Sequence, residues 1–256
     1  MMRACSAGNL NEVICLVEKC NEAMLSEAMD AAAESGHLHV LEWLHENSDA
    51  TCSSTAIDFA AANGHLEVVE YLHQNEYHSS DAFNFAVIYG HLKVVQFLHD
   101  QQVAPMTCAS SNHNCVSSLE LASEYGRSKI VEWLVRNGYK DAKSIELSVR
   151  CAASKGHVEI IEIFSQLGYP VNFEDIMVAA SYGHLNVLKY IFNIVDKTCL
   201  RDGFLPQLEG KNIVEAALKE AELGGHKHVV TYLRSIFISF RFQDSEFNGF
   251  IEVTNI

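Results

Sequence analysis

The segment AAESGHLHVLEWLHEN (32–47) recurs as AAANGHLEVVEYLHQN (60–75) and as AVIYGHLKVVQFLHDQ (86–101). Weaker copies read ASEYGRSKIVEWLVRN (122–137), AASKGHVEIIEIFSQL (152–167) and AASYGHLNVLKYIFNI (179–194). The outermost copies are ACSAGNLNEVICLVEK (4–19) and AELGGHKHVVTYLRSI (221–236). Each centres on one glycine: Gly8, Gly36, Gly64, Gly90, Gly126, Gly156, Gly183 and Gly225. Their spacings are 28, 28, 26, 36, 30, 27 and 42 residues. Periodicity of this length marks a repeat array, in which units too small to bury their own apolar faces stack on one another.

Each copy reads as two short helices. An alanine stands four residues before every anchoring glycine (Ala4, Ala32, Ala60, Ala86, Ala122, Ala152, Ala179, Ala221), where a small side chain lets neighbouring helices approach. The glycine then closes the first helix, because a positive φ is cheap only without a Cβ. The first helix carries an apolar stripe such as Met29, Ala31 and Ala32, or Ile57, Phe59 and Ala60. The second places Val68, Val69, Tyr71 and Leu72 on one face of a 3.6-residue period. Serines ahead of the first helices (Ser53 and Ser54, Ser79 and Ser80, Ser117) are expected N-caps.

The A-x-x-x-G-H-L-x-V-V-x-x-L core of the second to fourth copies resembles the ankyrin repeat, over roughly residues 1–235. The resemblance implies an all-α, ankyrin-repeat solenoid of about eight stacked helix-turn-helix units. The departures are specific. The T-P-L-H turn is replaced by sequences such as SSTAIDFAA (53–61), and five of the seven spacings run from 26 to 30, below the usual ~33. Projecting β-turn fingers are therefore expected to be trimmed or absent. The units look like the short variety found in protists and large DNA viruses. The non-repeat tail, 236–256, alternates apolar and polar residues around Asn248-Gly249, which is β-hairpin chemistry. It would cover the last repeat, pair with a partner strand, or be a loosely ordered end.

Composition narrows function. The chain of 256 residues is 48% hydrophobic and 20% charged, and 18 Lys and Arg against 33 Asp and Glu give a net −15. Spread along an elongated array, that charge opposes phosphate-driven nucleic-acid binding and docking on anionic lipid. No stretch is apolar enough for a signal peptide or membrane span, and the eight cysteines form no CxxC pair. The expectation is an intracellular protein, cytoplasmic or nuclear, with free, mostly buried thiols.

Thirteen histidines invite a metal hypothesis. Six follow the anchoring glycine directly: His37, His65, His91, His157, His184 and His226. Three more, His45, His73 and His99, share one place near the end of the second helix. Equivalent residues of stacked repeats stand about 8–10 Å apart, too far for ligands whose bonds to one zinc are about 2.1 Å long. Structural hydrogen bonding is the expected role, and no metal or cofactor is assigned. The aromatic file Trp43, Tyr71, Phe97, Trp133, Tyr190 and Tyr232 is expected in the core. Absence of a nucleophile elbow, phosphate-binding glycine loop or H-E-x-x-H motif argues against an enzyme.

What the ankyrin resemblance implies for binding is a concave surface onto which the two residues before each anchoring glycine point. The candidate partner-binding residues carried over by position are Ile88, Tyr89, Glu124, Tyr125, Lys155 and Tyr182. Exposed tyrosines there suit interface anchors; the competing reading is that they shield helix ends. The expected function is a non-catalytic protein-protein interaction scaffold for a basic or neutral protein or peptide. The alternative is an adaptor or regulator, such as a ubiquitin-ligase substrate receptor or host-modulating effector. The longer segments 100–118 and 196–212, with apolar tips at Met106, Phe204 and Leu205, are secondary candidates.

Overall fold

The computed structural model describes residues 1–79, 81–103, 117–169, 171–198 and 210–238. These form two compact units, Met1–Leu134 and Val135–Ile256. The first holds five helix pairs: α1 (Met2–Ser6) with α2 (Leu10–Val17), α3 (Glu22–Glu34) with α4 (Leu38–Asn47), α5 (Ala56–Ala62) with α6 (Leu66–Gln74), α7 (Ala82–Tyr89) with α8 (Leu92–Asp100), and α9 (Ser118–Glu124) with α10 (Ser128–Arg136), whose last turn crosses the boundary. The second holds α11 (Ala142–Lys155) with α12 (Val158–Gln166), α13 (Phe173–Ser181) with α14 (Leu185–Thr198), and α15 (Gly210–Leu223) with a last helix, α16, over 227–238. Among the described residues there is no strand.

Within each unit the helices sort into two layers. In the first unit α1, α3, α5, α7 and α9 pack in succession, backed by α2, α4, α6 and α8. In the second, α11, α13 and α15 follow one another, backed by α12 and α14. The described residues of both units are all-α, and within each unit a repeat leans on the next.

The eight alanines are all buried, and their carbonyls end the first helices. The N–H of the residue after each glycine donates back to that carbonyl, from Asn9 to Ala4 at 2.9 Å to His226 to Ala221 at 3.0 Å. This six-residue closure needs left-handed backbone at the glycine, and φ lies between +67° at Gly8 and +92° at Gly90. The second helix starts at once, so two helices share one turn.

Behind the turn lies the core. Val68, Val69 and Leu72, like Val94, Val95 and Leu98, are fully buried, each contributing about 1.5–3 kcal/mol. The aromatic file departs from expectation: Trp43, Tyr71, Phe97, Trp133, Tyr190 and Tyr232 are only half-buried. They flank the apolar stripe instead of filling it. Phe59, expected in the first-helix core, is 45% exposed.

Two further expectations change. Ser117 caps α9, its Oγ accepting from the Glu120 N–H at 3.2 Å, but the Ser53 and Ser79 hydroxyls accept from the Thr55 and Asp81 N–H groups in the turn ahead and cap no helix, and Ser80 lies outside the described residues. What holds those turns is the preceding repeat. The Ser53 N–H donates to Asp30 Oδ1 at 2.8 Å, the Ser79 hydroxyl serves buried Asp58, and Ser118 Oγ donates to Asn84 Oδ1 at 2.9 Å. Asp30, Asp58 and Asn84 all lie six residues before their glycine. Ser53 and Ser79, expected as local caps, thus tie neighbouring repeats. The five described thiols are also not a mostly buried set: Cys5 and Cys52 are buried, with burial pushing them up to about 11 and about 12, whereas Cys20 and Cys151 are half-buried and Cys15 is exposed, and Cys108, Cys115 and Cys199 lie outside the described residues.

Helix α16 carries the last repeat through residue 238. Asn248-Gly249, Met106, Phe204 and Leu205 lie outside the described residues. Among those described, no helix is long and apolar enough to cross a membrane.

Ser123 supplies a stability test. It takes the place of Ala33, Ala61, Ala153 and Ala180, is fully buried, and its Oγ meets no partner. Ser123→Ala removes an unsatisfied hydroxyl and is expected to stabilise by about 1 kcal/mol, raising Tm by about 2–4 °C. A lower Tm on calorimetry would show that the hydroxyl is satisfied in solution.

Candidate functional site

The candidate surface is positioned by an interlock between repeats. In five repeats the histidine after the glycine reaches back to the repeat before it within the same unit. His37 Nε2 bonds to Ser6 O at 3.0 Å, His65 to Glu34 O at 3.0 Å, and His91 to Ala62 O at 2.9 Å. In the second unit His184 bonds to Ser154 O at 2.7 Å and His226 to Ser181 O at 2.8 Å. A carbonyl can only accept, so each Nε2 carries the proton. The acceptors lie two residues before the preceding glycine, among the last carbonyls of a helix, which lack an intrahelical partner. Structural hydrogen bonding is therefore what these five histidines do.

The rings also lie flat against the preceding glycine. A Cβ on Gly36 would stand 2.4 Å from His65 Nδ1, and one on Gly64 2.3 Å from His91 Nδ1. Glycine is thus required twice, by its φ and by the ring beside it. Arg127 replaces the histidine of the fifth copy, and its Nε donates to Ile88 O at 2.8 Å. The guanidinium performs the same tie with a different group, which the sequence pattern alone did not suggest.

These ties fix the places of the candidate residues. In the first unit Ile88 and Tyr89 end α7, Glu124 ends α9, and Tyr125 is its C-cap. Arg127 holds α7 and α9 together at this end, so Tyr89 and Tyr125 stand at equivalent places on adjacent repeats, 54% and 47% exposed. Ile88 is half-buried. In the second unit Lys155 ends α11 and is exposed, while Tyr182 follows α13 and is 62% exposed. The Tyr182 ring lies parallel to His184, centroids 6.5 Å apart and planes 11° from each other.

Residues missed by the sequence reading lie one helical turn earlier. Phe59, Phe85 and Leu121 each stand five residues before a glycine. Phe59 is exposed and the other two are half-buried. The i, i+4 spacing puts Phe85 with Tyr89 and Leu121 with Tyr125 on one helix face. A solvent-facing aromatic recurring at one repeat position was the available signal; it was absorbed into the core stripe because one helix alone does not reveal which side is covered.

The second-helix layer carries its own file. His45 Nδ1 bonds to Tyr71 Oη at 2.6 Å, and His73 and His99 meet Phe97 and Trp133 edge to face, at centroid distances of 5.8 and 5.1 Å. Burial, then His78, holds His73 below the usual imidazole range. These contacts join neighbouring repeats and account for the shared place of His45, His73 and His99. Among the described residues no three His, Cys, Asp or Glu side chains gather in a metal-binding group.

Charge is distributed unequally. Residues 1–134 carry five Lys and Arg against eighteen Asp and Glu, a net −13, which leaves −2 for residues 135–256. The acidity expected to run along the array is concentrated in its first unit.

Comparison with known proteins agrees with this architecture. A family model described as ankyrin repeats (many copies) matches residues 29–73, and another, ankyrin repeats (3 copies), matches 57–146. Among solved structures, the human ASB11 ankyrin repeat domain is similar at 17% identity and TM-score 0.56, over 75% of this chain and 96% of that one. No curated protein matches.

Proposed function

This is an ankyrin repeat protein, and we propose that it is a non-catalytic scaffold that binds a partner protein through the concave, first-helix face of its repeats. Ankyrin repeats are in general protein-protein interaction modules, whereas the fold alone does not specify a partner. The observation carrying the reading is the pair Tyr89 and Tyr125: large, exposed, amphipathic side chains on adjacent repeats, anchored by the Arg127 tie. Rigid aromatic side chains of this kind dominate interface energetics. Tyr182 is the corresponding residue of the second unit. Its ring beside His184 also fits the role of shielding a helix end.

The proposal places the chain in a cytoplasmic or nuclear compartment, where free thiols persist. An adaptor or regulator would select its target with the same surface, so one test serves both. A partner captured from native cells and purified is titrated against the protein and its Tyr89→Ala/Tyr125→Ala variant. Affinity is expected to fall at least about tenfold with cooperative unfolding retained. Unchanged affinity for that partner would remove these residues from the interface.

A further inference from the structure

We propose that the first-helix layer of the first unit is a docking strip for an extended, cationic segment of a partner protein with an apolar side chain at about every third residue. This rests on the partner-binding reading above and adds the chemistry of the partner.

Three observations converge. The first is the apolar file: Phe59, Phe85 with Tyr89, and Leu121 with Tyr125 recur at the same two places on successive repeats. The second is the charge of the elements that carry it. Helices α3, α5, α7 and α9 contain no lysine or arginine, while Glu27 and Glu34 of α3 and Asp81, the N-cap of α7, are exposed. The first layer of the second unit is unlike this: α11 alone contains Lys143, Arg150 and Lys155. The third is pitch. Equivalent places on packed helices repeat at about 8–10 Å, and a chain extended as polyproline II advances about 3.1 Å per residue and turns every third side chain to one face. Three residues of such a segment therefore span one repeat, setting an apolar side chain in each gap of the file. The intervening residues face the carboxylates, and complementary charge there favours cationic side chains and rejects anionic ones. A segment lying along the layer would cross the repeats, not follow one helix.

The probe is a fluorescein-labelled peptide of four Gly-Arg-Leu triplets, followed by anisotropy. Two companions replace arginine with glutamate, or leucine with glycine. The Gly-Arg-Leu peptide is expected to bind at least about tenfold more tightly than either. Phe59→Ser/Tyr125→Ala should weaken it at least about tenfold, and Glu27→Gln/Glu34→Gln/Asp81→Asn by a similar factor. A charge-matched triple on the second-helix layer, Glu46→Gln/Glu67→Gln/Asp100→Asn, should leave binding within about twofold. Equal weakening by both triples would mean that the peptide senses only net charge, which overturns the strip. Binding that survives the aromatic substitutions, or no binding up to about 100 μM, overturns it as well. Equally tight binding of the glutamate peptide, still lost on Phe59→Ser/Tyr125→Ala, would refute the cationic partner while sparing the face. Loss of the face itself is read separately, from the native partner and Tyr89→Ala/Tyr125→Ala.

Discussion

Gly64→Ala is expected to destabilise the first unit by about 3 kcal/mol, from left-handed strain of about 1–2 kcal/mol and loss of a hydrogen bond of about 0.5–1.5 kcal/mol. For a chain of this size that lowers Tm by about 6–12 °C. The strain follows from φ +76°, and the rest from His91, whose Nδ1 would lie 2.3 Å from the new Cβ. The ring must swing away and release Ala62 O, to which it is bonded at 2.9 Å. Gly168→Ala separates the two effects. Its φ is +85° and a Cβ there meets nothing within 4 Å, so only the strain remains, about 1–2 kcal/mol. Calorimetry on both variants, and on Gly64→Ala/His91→Ala, isolates the ring contact. Equal losses at Gly64 and Gly168 would show that the ring yields freely and that the interlock adds no stability.

The second large effect depends on pH. Asp175 is fully buried in a capping box, accepting from the Asn172 N–H at 2.9 Å through Oδ2, while Oδ1 has no partner. Burial pushes its carboxyl up to about 6; the Asn172 bond and Arg150 oppose the rise, while Glu146 and Glu174 add to it. The native state therefore keeps a proton that the unfolded chain, titrating near 3.9, has already lost. Stability falls as pH climbs from about 4 through about 6 and stays lower above that window. A rise of about two units corresponds to roughly 3 kcal/mol at pH 8. Asp175→Asn retains an acceptor for the Asn172 N–H and removes the charge, leaving its own amide short of a partner. Denaturant unfolding should find the variant more stable by about 1–2 kcal/mol at pH 8 and no more stable than the parent at pH 4. A constant difference across that range would remove Asp175 as the titrating group.

The helix pairs, the anchoring glycines and the alanine beneath each were legible in the sequence because each is a demand that one repeat makes on its own backbone. What escaped depends on the neighbouring repeat. The histidines read as hydrogen-bonded, but their acceptors, two residues before the previous glycine, emerge only when repeats are stacked. Arg127 broke the pattern on paper and preserves it in space. Phe59 and Ile57 are equally apolar letters in one helix. Burial by adjacent repeats leaves Ile57 at 2% exposure and Phe59 at 45%. Tyr89 and Tyr125 were found as exposed residues because they sit at the turn, whose direction the glycine fixes. The uneven charge was countable throughout, yet it acquired meaning only with the boundary after Leu134.

The interlock has a direction. Within each unit the imidazole or guanidinium seals the helix end of the repeat preceding it in the chain, as His37 does for Ser6 and His65 for Glu34. On a ribosome, then, a repeat is not fastened when its own residues emerge. It waits for the group encoded 29 to 45 residues later, which at bacterial to eukaryotic synthesis rates arrives after roughly one to nine seconds. Within a unit the growing array would carry one unlatched repeat at its advancing end, closed in turn by the next to be made.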